Sequence, residues 1–158
     1  MLKALLGALY GFLFPEPLRG RADLLAAQDP QKFRTLQQNL DPIAQDIINA
    51  SLTKGRIDSR LLLQRYGAEV VNRRLSLDEA AVLWECVQRR IGNPVTGHRV
   101  TGHWLLNLQT YMTFDDLLKI LQHWPDLLGG ITPPATPEEV ATAERFQQWL
   151  QEQRLRDT

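Results

Sequence analysis

The chain has 158 residues, enough for one domain with a sizeable core and too few for several. A hydrophobic content of 44% and a charged content of 23% exclude an intrinsically disordered chain and a multi-span membrane protein. Basic and acidic residues balance at 18 each, so no overall charge excess marks a polyanion binder, and the lone cysteine, Cys86, excludes an intramolecular disulfide and a thiolate-rich metal centre.

The first segment, MLKALLGALYGFLFPEP, predicts an apolar amphipathic helix over 1–14. It sets Leu2, Leu5, Leu6, Leu9, Phe12 and Leu13 close together, with Lys3 the only charge before Pro15. Such a helix is too short to cross a bilayer, which takes about 20 residues. The following PEPLRGRA is a poor signal-peptide cleavage site. Three roles stay open: a core helix, a helix seated in a partner's groove, or an interfacial membrane anchor. Gly7 and Gly11 allow close packing on the other side, where an interfacial helix would carry basic residues, and so favour a protein neighbour.

After a short linker, Asp29-Pro30 and Asp41-Pro42 each pair an N-capping carboxylate with proline, which has no N–H to lose. Two helices in series are expected, the second with Ile43, Ala44, Ile47, Ile48 and Ser51 on one face and Gly55 as its stop. RIDSRLLLQRYGAEVVNRRL then predicts a helix to Tyr66, a break at Gly67 and a short helix through Arg74. Ser76 and Glu79 form a capping box that opens a longer helix, with Ala80, Leu83, Trp84, Val87 and Ile91 inward and Gly92 at its end. Cys86 falls in this apolar pattern and reads as an inert core thiol.

The motif VTGHRVTGH repeats Val-Thr-Gly-His. Gly97-His98 between the β-prone pairs Val95-Thr96 and Arg99-Val100 predicts a small two-residue hairpin near 95–100. A short apolar helix follows in HWLLNLQTYM. Thr113 then caps a helix with Phe114, Leu117, Leu118 and Leu121 inward, closed by Pro125. The segment 129–136 reads as a Gly/Pro linker. Thr136, Pro137 and Glu139 open a last helix over 137–155, packed on the domain or tethered to it, with Val140, Ala143, Phe146 and Leu150 apolar. Trp84, Trp104 and Trp124 read as core, and Trp149 as the exposed aromatic suited to an interface.

No arrangement in the sequence carries chemistry. His98 and His103 are five residues apart, about 140° apart on a helix and on opposite faces of a strand, so neither geometry chelates one ion. Cys86 has no histidine at a suggestive position. Ser51, Ser59 and Ser76 are expected on helices or at caps, where a hydroxyl has a structural job, so a nucleophile is not expected among them. The acid pairs Asp78-Glu79, Asp115-Asp116 and Glu138-Glu139 all fall in first turns, where the helix dipole favours negative charge. No catalytic residue, metal ligand or cofactor is therefore assigned.

Charge is unevenly distributed: 54–74 holds six basic residues against Asp58 and Glu69, while 113–158 holds eight acids against four bases. A hairpin after a helix ending in RRIG also follows the order of a winged helix-turn-helix. In that reading Arg73, Arg74, Arg89, Arg90 and Arg99 contact an anion or nucleic-acid phosphates.

The sequence thus predicts an all-α fold, an irregular or orthogonal bundle of six to eight helices with one small hairpin. Its parts are the apolar helix 1–14, a helical core domain over 29–128, the linker and the C-terminal helix. The expected function is non-catalytic: a cytoplasmic interaction or adaptor protein, or a small subunit of a larger assembly. It would dock a protein partner or a second copy through Leu2, Leu5, Leu6, Leu9, Phe12, Leu13 and Trp149. Nucleic-acid binding through the basic 54–99 region and membrane attachment through 1–14 are the alternatives.

Overall fold

The computed structural model describes residues 20–91, 100–101 and 112–157, the side chains of Val100, Thr101 and Asp157 excepted. Seven helices occur among the described residues: α1 (Arg21–Gln28), α2 (Pro30–Ala50), α3 (Ser59–Asn72), α4 (Leu77–Arg90), α5 (Phe114–Leu121), α6 (Trp124–Leu128) and α7 (Pro137–Asp157). Three short strands, β1 (Leu52–Thr53), β2 (Arg56–Asp58) and β3 (Val100–Thr101), make a small sheet in that order. The fold is all-α with a small hairpin, as the sequence predicts.

The hairpin among the described residues lies at 52–58. β1 and β2 pair antiparallel, Leu52 with Ile57 and Thr53 with Arg56. Lys54 and Gly55 between them have φ of 54° and 77°, the twist that a two-residue turn needs to match its strands. Gly55 is therefore a turn residue and not a helix stop. The hairpin expected near 95–100 falls mostly outside the described residues; Val100 and Thr101 pair in parallel with Ile57 and Asp58.

Where the sequence suggests two helices, α2 is one continuous helix. Asp29 accepts from the Lys32 N–H at 3.1 Å and Pro30 opens the helix, but Pro42 lies inside it. An internal proline costs about 3 kcal/mol. Burial of Leu40, Ala44, Ile47 and Ile48 on the α4-facing side, the most extensive helix pairing here, offsets that. The short linker before Asp29 contains α1, which has no capping side chain of its own at Gly20. Its first N–H, that of Arg21, instead donates to Asp115 Oδ2 at 3.0 Å, a partner from 94 residues away.

α3 likewise runs unbroken through Gly67. A Cβ there would lie 2.8 Å from Trp124 Cη2 and Cζ3, so the glycine admits a ring and does not end a helix. Asp58 caps α3, accepting from Arg60 and Leu61 N–H at 2.9 and 3.2 Å. The α4 capping box is present, with Ser76 Oγ and Glu79 Oε1 each accepting the other's N–H. α4 is the central element: Leu77, Ala80, Ala81, Val82, Leu83, Trp84, Cys86, Val87 and Gln88 are all buried. Pro125 lies in the first turn of α6, so it opens that helix and does not close α5.

α7 is packed on the domain. Ala143, Phe146, Trp149 and Leu150 are buried on its inner face. Aromatic rings knit the layers: Trp124 meets Phe146 edge-on at 5.7 Å, Phe146 lies 5.0 Å from Trp149, and Tyr66 meets Trp84 at 5.1 Å. Three of these rings have bonded polar atoms, while Trp124 Nε1 is buried without a hydrogen-bond partner among the described residues. Tyr66 Oη donates to the Ala80 carbonyl, Trp84 Nε1 to Met112 and Trp149 Nε1 to Leu75, all within 2.7–2.8 Å. Arg60 locks the start of α7, donating to both Glu139 oxygens at 2.6 and 2.8 Å and to the Pro133 carbonyl at 2.8 Å.

Candidate functional site

Of the side chains the sequence singles out, Leu2, Leu5, Leu6, Leu9, Phe12, Leu13 and Arg99 lie outside the described residues, as do His98, His103 and Trp104. Trp149 is corrected. Only 5% of it is exposed, and its indole N–H is engaged by a backbone carbonyl, so it is a core residue and offers no ring to a partner. Periodicity places Trp149 beside the apolar stripe of α7. The surface that covers it comes from the end of α3, which no local pattern reveals.

The basic residues divide. Arg73 pairs with Glu69 one turn back at 2.5 Å. Arg89 pairs with Glu85 at 3.5 Å and lies over the Phe33 ring. Arg90 reaches back to Asp41 and Gln45 on α2. These three guanidinium groups have acids or rings as partners within the domain. α4, moreover, is buried along most of its circumference and has no free face to lay in a groove. Arg74 differs: it is exposed and has φ of 51°.

Arg74 holds that conformation because it closes α3. Its N–H donates to the Val71 carbonyl at 3.2 Å and the Leu75 N–H to the Val70 carbonyl at 3.1 Å, the paired bonds of a Schellman motif. The central position of that motif is usually glycine. A residue with a Cβ there costs roughly 1–2 kcal/mol.

A second surface surrounds α1. A cleft of about 480 Å³ is lined by Arg21, Leu24, Leu25, Gln28, Asp78 and Asp115. Leu24 is 43% exposed at its edge. Asp78 holds Arg21 and Lys32 together, each at 3.3 Å. On the same helix Asp23 has its carboxyl pushed up to about 6, by burial first and then by the negative charges of Glu85 and Asp115, against the pull of Arg89.

The sign of that shift makes a pH prediction. A carboxyl whose pKa is raised on folding contributes stability that is present below its unfolded value near 3.8 and lost as pH rises through about 6. Asp23→Asn mimics the protonated form. It should raise the thermal midpoint at pH 8 and leave it unchanged near pH 4, in melts of the two proteins at both pH values. A gain that is equal at both pH values would contradict the burial of this carboxyl.

Cys86 is buried, and desolvation raises its thiol to about 11, so it stays protonated and unreactive at neutral pH. Among the described residues no three metal-binding side chains cluster, and no helix is long and apolar enough to cross a membrane. Sequence reasoning passed over Arg60. Its partner Glu139 lies 79 positions away, and no spacing rule connects the two. In comparisons with known proteins, no family model, no curated protein and no solved structure matches the chain.

Proposed function

We propose that this chain is a non-catalytic interaction protein, an adaptor or small subunit of a larger assembly, that uses the apolar segment 1–14 as its docking element. The observation that carries this reading is compositional: six large apolar side chains, Leu2, Leu5, Leu6, Leu9, Phe12 and Leu13, with Lys3 the one charge among them. An apolar helical face of that kind is stabilised by a groove lined with similar side chains. The segment precedes α1 in the chain, and Leu24 of α1 is among the exposed large apolar residues of the domain. The basic 54–99 region favours the nucleic-acid alternative less, because Arg73, Arg89 and Arg90 are already engaged by acids of the domain.

A paired test uses Leu5→Glu/Leu9→Glu. A photoreactive residue at Leu6 should give one defined protein adduct in cells, and the double variant should lose it. Flotation with anionic and neutral liposomes should leave the native protein at the bottom of the gradient. Co-flotation abolished by the double variant would replace protein docking with membrane anchoring, and an adduct insensitive to the charges would refute docking through this face.

A further inference from the structure

Arg74 lies at the rim of a cleft of about 380 Å³ between the end of α3 and α7, with Val71 and the edge of Trp149 in its lining. That is within the range of small-molecule sites, about 300–1,000 Å³. α7 contributes Arg145, Gln148, Glu152 and Arg156, spaced so that they fall on one stripe of the helix. Arg145 is held toward the cleft by a 2.9 Å bond from its guanidinium to Asn72 Oδ1, in the last turn of α3. Arg74, Arg145 and Arg156 are all exposed, and among the described residues none of them is ion-paired. Glu152 is the one acid in the lining, so the cleft carries three positive charges against one negative.

Helix dipoles explain part of this. Cations are favoured at helix C-termini, which accounts for Arg156 in the last turn of α7. The dipoles likewise favour a cation at Arg74, just past the end of α3, although glycine would be the unstrained choice there, and they do not account for Arg145 in the middle of α7. Arg74 therefore combines a strained backbone with a place in a like-charged cleft, and backbone strain of this kind clusters at ligand sites.

The geometry points to an anion site here, formed by Arg74, Arg145 and Arg156, for a small ligand carrying phosphate groups. Guanidinium forks match phosphate oxygens two at a time. A carboxylate has only two oxygens, which two forks would saturate, whereas a diphosphate can meet three. Gln148, beside them, adds an amide for a remaining oxygen.

The site is tested with inorganic pyrophosphate, titrated at fixed ionic strength against the native protein while the urea midpoint is followed. The expected result is a saturable rise, with apparent affinity weakened about tenfold or more by Arg145→Gln, which removes one charge-assisted contact. Arg74→Gly separates site from scaffold. It should raise the midpoint without ligand, because the strain is relieved, and yet bind about tenfold more weakly. Glu152→Gln should bind more tightly, and Arg34→Gln, an exposed arginine elsewhere on α2, should bind as the native protein does. No saturable rise, or an affinity in Arg74→Gly and Arg145→Gln equal to that of the native protein, would overturn the site. Equal binding of citrate at the same ionic strength would overturn its assignment to phosphate.

Discussion

Trp149→Ala should lower the unfolding free energy by about 3–5 kcal/mol, the range for removing a large buried aromatic. The ring is 5% exposed, packs 5.0 Å from Phe146 and donates its N–H to the Leu75 carbonyl at 2.7 Å. Truncation opens a cavity and also leaves that carbonyl unpaired at the α3–α4 turn. Trp149→Phe keeps most of the packing, loses the bond and leaves a smaller cavity, so its cost should be smaller. Urea denaturation of the two variants separates the contributions. A Trp149→Ala protein as stable as the native one would mean that α7 does not anchor the domain.

Gly67→Ala should destabilise the domain by about 1–3 kcal/mol, against the usual direction of this change within a helix. In an unhindered helix alanine gains roughly 1 kcal/mol over glycine. Here the new methyl would sit 2.8 Å from two ring carbons of Trp124, which is 1% exposed and held edge-on by Phe146 at 5.7 Å. The buried ring can yield only by displacing its neighbours. Trp124→Phe shortens it, so the Gly67→Ala cost should shrink in the Trp124→Phe background. Four denaturation curves give that coupling, and additive effects or a stabilising Gly67→Ala would show that α3 and α6 do not meet at this point.

Both residues read differently in the sequence, Trp149 as exposed and Gly67 as a helix break, whereas other features were legible. The capping boxes at Ser76 and Thr136 and the apolar faces of α4, α5 and α7 follow from local spacing, because the groups that satisfy one another lie within a turn. Gly67 and Pro42 read as breaks because propensity is a local preference. Both lie inside continuous helices, Gly67 to admit Trp124 and Pro42 at an exposed position of a helix held by the burial of Leu40, Ala44, Ile47 and Ile48. Gly55 has the opposite history: it marks a chain reversal, but a hairpin turn and not a helix end.

The charged groups were partly legible. The arginine-rich ends of α3 and α4 stand out in the sequence, but which arginines are neutralised depends on Glu69, Glu85 and Asp41, of which Asp41 comes from another helix. The Arg145–Arg156 stripe follows from helical spacing alone. Its meeting with Arg74 does not, since that depends on how α7 lies across the end of α3.

The proposed docking role implies a division of labour, in which residues 1–14 would engage a partner and the helical domain would hold itself together without them. Thermal unfolding of the full chain beside Leu5→Glu/Leu9→Glu tests that division directly. The account predicts the same midpoint and the same cooperativity, because the charges fall on a docking face and not in the core. A fall of about 10 °C or more, the scale of losing several kcal/mol of buried apolar contact, would place the segment in the domain's own core and contradict it.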